Sequence, residues 1–436
     1  MRTFVAVLLS YACLASCGGG PRLAVSSAIE RRDLDGALSA YERVRASDGD
    51  DVGLLARLSE LLLETEASSD GAERRDSALH QLALAGTAGR GALERIAGSG
   101  SAYALAILAE GGSASARAAL RDRIDSEDPE IRAAAVLGLA IDSDRGRLLA
   151  LAAESSSRVR AAAVGRLGEL APESAARAVL EERARIDPDP VVRGAAVRAL
   201  GAFGAPAITL LRERLSDPIA SVRMAAVAAL LRADRDSGRA SLAALLASPP
   251  SVQGIEAARL LGTPLARGAA PTDQDASDAR AFLAASLSAT DASLRSQAAL
   301  ALSTMPTSPD SRGALARALA REQESGVRLA MARAILSLAD GDGDALAAIR
   351  SLAGGEISMT SLQAAIELAT RRESAGVDRV EEVMHGADIP LRRIAARALA
   401  RDAMMPERAA PALQDPDALV RIQAAGGILA AAAAAQ

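Results

Sequence analysis

Few residues of this chain carry reactive chemistry, and the most telling of them stands near its start. Cys13 and Cys17 are the only cysteines, and His80 and His385 the only histidines, among 436 residues. Cys17 follows Leu14-Ala15-Ser16, with a single positive charge at Met1-Arg2 and a short apolar core from Phe4 to Leu14. Ala15 and Ser16 are small enough for a processing protease to hold the chain just before the cysteine. The apolar run is shorter than the roughly 20 residues needed to span a bilayer. Cys13 leaves with that segment, so no disulfide can form within what remains. His80 is followed by Gln81 and His385 by Gly386. Transition-metal centres draw on clustered His, Cys and carboxylates, so neither a metal nor a cofactor is expected. No Ser-His-Asp or Cys-His nucleophile shows a local signature. Carboxylates lie at helix caps and on solvated faces, with no acid and base to pair. The residues therefore nominate no catalytic group, and the chain reads as a non-enzyme.

The start of the chain resembles the lipobox of a bacterial lipoprotein. That resemblance implies a signal peptide over 1–16, a mature protein beginning at Cys17, and acyl chains on the Cys17 sulfur and on its new amino group. A lipidated linker over 17–27 would follow. More than one chain makes anchoring stable, since each buried methylene contributes about 0.8 kcal/mol. Gly18 stands where many Gram-negative lipoproteins carry an inner-membrane Asp signal. The expected address is thus that of an exported lipoprotein, membrane-anchored in the outer membrane and facing the periplasm.

Hydrophobic residues make up 50% of the chain but aromatics only 1%, which suits closely packed helices rather than sheets. Net charge is −5, with Arg and carboxylates interspersed. Nucleic acid is excluded as a partner, because phosphate backbones want a basic stripe and single strands want aromatic platforms.

A fixed-period phrase runs through most of the chain. Asp187-Pro188 precedes Val192-Arg193 and Ala195-Ala196-Val197, and Asp217-Pro218 precedes Val222-Arg223 and Ala225-Ala226-Val227. The same phrase recurs at Arg132, Arg160, Arg295, Arg328, Arg392 and Arg421, in steps of 28, 33, 30, 72, 33, 64 and 29 residues. Each long step hides a further unit, one opening at Val252-Gln253 and one carrying Ser361 in register. Each unit reads as two helices. Asp is a good N-cap and Pro suits the first turn, so Asp-Pro is expected to start the first helix. Val192, Ala196, Val197 and Leu200 form its apolar stripe, and a second run such as Ile208 to Leu215 returns antiparallel. Neither helix could bury its face alone, so neighbouring pairs must stack.

This pattern is similar to HEAT repeats, specifically the short HEAT-like repeat named after phycobilisome lyases, over 113–436. The stretch near 263–278, rich in Pro, Asp and Ala, reads as an insertion, and the resemblance implies an all-α, right-handed α-solenoid, a superhelix of stacked helical hairpins of HEAT/armadillo type. It also implies that the register arginines Arg132, Arg160, Arg193, Arg223, Arg295, Arg328, Arg392 and Arg421 reach toward an acidic residue in the adjoining unit. Upstream, Arg32 to Val44 resembles the second helix of a tetratricopeptide repeat, so 28–112 is expected as a separate N-terminal helical region, partly of that type. Of the enzymes sharing HEAT-like architecture, the hydroxylases need His-Glu pairs and the DNA glycosylases a basic aromatic cleft, and the chain has neither. Bilin lyases would work in the wrong compartment.

Binding is the default for a solenoid, whose per-repeat rotation makes a long curved surface. If the family geometry holds, positions one and five after the register Arg face the groove. They place Arg198, Met224, Arg333, Arg393 and Arg397 there, together with Leu329 and Ile422. Apolar and Arg contacts suit a protein segment. The expected function is a lipid-anchored scaffold or assembly factor with protein partners and membrane contact through its N-terminal lipid. A structural spacer is the first alternative, and an enzyme or small-molecule carrier the second. An Ala-lined interior is expected to leave little room for a pocket.

Overall fold

A computed structural model describes residues 20–263 and 272–435. Among these residues every regular element is helical. The all-α class expected from composition is the class the chain adopts. The signal peptide, Cys17 and the middle of the expected insertion lie outside the described residues. No described helix is long and apolar enough to cross a membrane.

The first helices are α1 (Pro21–Glu30), α2 (Leu34–Asp48), α3 (Val52–Ala67), α4 (Ala72–Leu84) and α5 (Thr87–Gly98). Pro21 opens α1 in the first turn, so residues 21–27, expected as linker, are helical. In α2 the buried Tyr41 donates its hydroxyl to Asp50 at 3.1 Å and accepts from the Asp51 N–H at 3.1 Å, which ties α2 to the start of α3.

Residues 105–352 form one compact unit. After α6 (Ala102–Glu110) and α7 (Ala114–Arg121), hairpins follow in order: α8 (Pro129–Ala135) with α9 (Arg145–Leu151), α10 (Ser157–Leu167) with α11 (Ser174–Ile186), and α12 (Pro190–Leu200) with α13 (Ile208–Arg214). Next come α14 (Ala220–Ala233) with α15 (Arg235–Leu246), α16 (Val252–Gly262) with α17 (Asp273–Ser286), α18 (Ala292–Thr304) with α19 (Pro309–Leu319), and α20 (Ser325–Leu338) with α21 (Gly343–Ala353). The first helix of each hairpin packs on the first helix of the next. Val192, Ala196, Val197 and Leu200 are all fully buried in a core that runs from Ile124 to Leu230. The apolar stripe of each unit thus serves its neighbours as well as itself. The insertion is narrower than expected, because Thr272 and Asp275 form a capping box that starts α17 at Asp273.

The helices α22 (Met359–Thr370), α23 (Ser374–Met384), α24 (Ile389–Arg397), α25 (Pro406–Ala409) and α26 (Ala418–Ala434) complete the chain. They belong with the N-terminal helices in a second compact unit, made of residues up to 104 and from 353 onward. Its centre is α26, which packs along α3, α4 and α24. The division expected near residue 112 was drawn from local texture, whereas compactness follows contacts between the two ends of the chain.

Candidate functional site

The register arginines build the most regular feature of the molecule. In each of Arg132, Arg160, Arg193, Arg223, Arg295, Arg392 and Arg421, Nη1 donates to two backbone carbonyls, six and five residues earlier. Those carbonyls lie in the loop before the helix, and the bonds lock the guanidinium to its own hairpin. Its Nε–Nη2 edge is left to face the next one. Arg160 gives this edge to Asp187 at 2.8 and 2.9 Å, Arg193 to Asp217 at 3.1 and 3.2 Å, and Arg295 to Glu322 at 2.7 and 3.1 Å. Arg132 reaches Glu154 at 2.9 Å and Arg392 reaches Asp415 at 3.1 Å. Each acid also offers its backbone carbonyl to the Arg of its own unit, as Asp187 does to Arg193 at 2.9 Å. The result is a ladder with alternating side-chain and main-chain steps, as the family resemblance implies.

Burial by itself would push Asp187 and Asp217 up. Hydrogen bonds from Arg160 and Arg193, and from the N–H groups of Asp189 and Ile219, outweigh it and hold both below the usual carboxylate range. Glu322 is held down chiefly by Arg295.

The ladder corrects the reading of Asp-Pro. Asp187, Asp217 and Asp415 do not cap helices; each stands two residues before the cap position and takes the preceding arginine. The caps are Asp189 for α12, Ile219 for α14 and Asp417 for α26. The Asp of an Asp-Pro pair does cap at Asp128-Pro129, accepting from Glu130 N at 2.8 Å, and at Asp189-Pro190, accepting from Val191 N at 2.8 Å.

Two rungs lack their acid, and both precede a unit whose register position is not Arg. Arg223 faces Gln253, whose side-chain oxygen, with its amide correctly oriented, accepts from Nε at 3.1 Å and from Nη2. Arg328 gives Nη1 to the Glu322 carbonyl at 2.9 Å, and among the described residues no carboxylate meets its other edge. The following register residue there is Ser361, used in a capping box with Ser358. A cleft opens at each of these rungs. Arg223 lies in one of about 570 Å³ between α13 and α15, with Arg212, Met224 and Gln253. Arg328 lies in one of about 940 Å³ between α19 and α21, with Arg312, Asp342 and Asp344. A third cleft of about 470 Å³ contains Arg295, already matched by Glu322. The expectation that small side chains leave little room for a pocket therefore fails in residues 105–352. Ala lets the first helices approach, but the second helices that flank the first two clefts, α13 and α15, and α19 and α21, make little contact with each other.

The expected groove residues are distributed unevenly. Arg198 and Arg333 are exposed, and Met224 is half-buried in the cleft of Arg223. Arg393 pairs with Asp417 at 3.1 Å, and Arg397 is half-buried. Leu329 and Ile422 are buried, so neither offers a groove contact. Cys17 lies outside the described residues. His80 and His385 are both exposed, and no group of three or more His, Cys, Asp or Glu among the described residues is arranged to hold a metal. Sequence reasoning missed Gln253 and Arg212. The signal for Gln253 was a Gln in the Arg register behind Ser248-Pro249-Pro250-Ser251, where other units supply an acid.

Residues 145–231 match the family described as HEAT repeats, so the HEAT-like repeat character is shown there. No curated protein matches the chain. Among solved structures, the complex of CpcE and CpcF of phycocyanin lyase from Nostoc is 18% identical, covering 58% of this chain and 85% of that one, with a TM-score of 0.26. UNC-45 from Drosophila melanogaster is 14% identical over 94% of this chain and 77% of its own, at 0.36. Human deoxyhypusine hydroxylase is 17% identical over 75% and 97%, at 0.21. At such scores the assignment rests on the repeat match and the ladder.

Proposed function

We propose that the chain is a non-catalytic, protein-binding scaffold or assembly factor, held at a bacterial envelope membrane by acyl chains on Cys17 and working through residues 105–352. The observation that carries the reading is a difference at equivalent positions. Five residues after the register Arg, Arg198 and Arg333 are exposed in α12 and α20, whereas Gly426 in α26 is buried. The first two present side-chain surface to solvent there, and Gly426 presents none. Arginine at such positions suits carboxylates of a protein segment, through its forked donors. Anchoring is supported by Leu14-Ala15-Ser16-Cys17, and the outer membrane by Gly18.

The test is affinity capture of the full chain from detergent-solubilised membranes, with Arg198→Glu plus Arg333→Glu as the variant and Cys17→Ala as the anchoring control. The expected result is loss of at least one co-purifying protein from the double variant, and release of Cys17→Ala into the soluble fraction. Unchanged capture of every partner by the double variant would favour the spacer, in which the array stiffens an envelope complex without a discriminating surface. The carrier reading gains from the clefts, which give it the volume that composition alone argued against.

A further inference from the structure

We propose that the cleft over Arg223 binds a small monocarboxylate with an apolar tail, whose acid supplies the missing carboxylate of the ladder. The assignment goes beyond the scaffold reading and does not depend on it.

Arg223 is held as the other register arginines are, with Nη1 on the Asp217 and Pro218 carbonyls at 2.7 and 2.9 Å. Its Nε–Nη2 edge is therefore presented in the way that, in Arg160, Arg193 and Arg295, receives both oxygens of a carboxylate. In place of the acid stands the neutral amide oxygen of Gln253. A carboxylate adds the attraction of a full negative charge and offers one oxygen to each N–H of the fork, where the amide offers a single neutral oxygen to both, so an arriving carboxylate can displace the amide, whose side chain turns aside. The guanidinium is planar and its fork matches two coplanar oxygens.

The surroundings select the rest of the ligand. Arg212 brings a second guanidinium to the lining, and no lining residue is acidic. Leu215, Met224, Val227 and Leu245 supply apolar walls. A volume of about 570 Å³ lies within the usual range of small-molecule sites, about 300 to 1,000 Å³. The other two clefts lack this combination. Asp342 and Asp344 line the larger one and oppose an anion, while Glu322 already neutralises Arg295 in the smaller.

The test titrates the full chain with sodium decanoate by calorimetry and thermal shift, beside decanol, acetate and decylamine. Decanoate is expected to saturate one site per chain at least about tenfold more tightly than any of the three, because each lacks the acid or the tail. Gln253→Glu places the acid in the chain itself. It is expected to raise the Tm and to weaken decanoate about tenfold or more, so lost binding cannot be put down to unfolding. Ala244→Trp, at an exposed wall position, should weaken decanoate by filling the cleft. Equal decanoate affinity in wild type and Gln253→Glu, or decanol binding as tightly as decanoate, would overturn the proposal. So would binding of the tripeptide Ala-Leu-Leu without binding of decanoate, which would assign the cleft to a protein C-terminus.

Discussion

The unit made of the two chain ends and the unit of residues 105–352 use one device to different ends. In the first, Arg421 of α26 grips the Asp415 and Pro416 carbonyls and gives its other edge to Glu66 of α3 at 3.0 Å, 355 residues away. Glu66 is nearly fully buried and also pairs with Arg74. A Cβ at Gly426 would collide with Gln81 of α4, and one at Gly427 would lie 2.9 Å from the Arg397 carbonyl oxygen. Adjacent glycines are needed here because α26 is approached on two sides. The face of α26 turned away from α24 is covered by α3 and α4. In residues 105–352 the same device is satisfied locally at Asp187, Asp217 and Glu322, and left without an acid at Arg223 and Arg328. The lesson is that a register arginine is a donor edge awaiting a carboxylate. The origin of that carboxylate decides whether the rung is a fold contact or an open position.

The hardest test of this contrast is removal of Ala418 to Gln436. Loss of α26 strips α3 and α4 of a helix that packs on both, and hydrogen exchange is expected to show protection lost across both, with α10, α12 and α14 still protected. Full protection of α3 and α4 in the truncated chain would dissolve the distinction between the units. Next in size, Asp187→Ala leaves Arg160 buried without its acid. It should cost about 3 kcal/mol or more in denaturant unfolding, whereas Gln253→Ala should cost less than about 1 kcal/mol. Equal losses would mean that Gln253 serves Arg223 as well as an acid serves Arg160.

The smallest expected effect sharpens the contrast by pH. Asp187, Asp217 and Glu322 have folded values below their ordinary ones, so the unfolded chain binds protons first. Their stabilisation is complete above the unfolded value, near pH 4, and is lost as pH falls through the folded values. Urea midpoints should therefore drop below about pH 4, and Asp187→Ala should flatten part of that drop. An identical acid profile in the variant would show that other carboxylates dominate.

Much of this was legible in advance, for reasons visible in particular residues. The stripe Val192, Ala196, Val197 and Leu200 declared both a helix and its buried side, and the Arg-to-Arg steps set the repeat. Gln253 and Ser361 both stand in the Arg register, a sign of the two interrupted rungs that the repeat reading did not use. The Asp-Pro pairs were misread because cap chemistry and ladder chemistry favour the same residue type, and only the positions of the neighbouring guanidiniums separate them. Leu329 and Ile422 were misplaced in a groove because helical spacing says which residues share a side, but not what that side meets.

Sequence alone determined the helices, their pairing into hairpins and the stacking of each hairpin on the next, since those contacts join residues a few tens of positions apart and repeat with the period. Tertiary structure alone decided that Arg421 finds Glu66, that α26 is enclosed by α3 and α4, and that clefts open where second helices make little contact. These depend on contacts between residues hundreds of positions apart and on how neighbouring second helices meet, which no local spacing records.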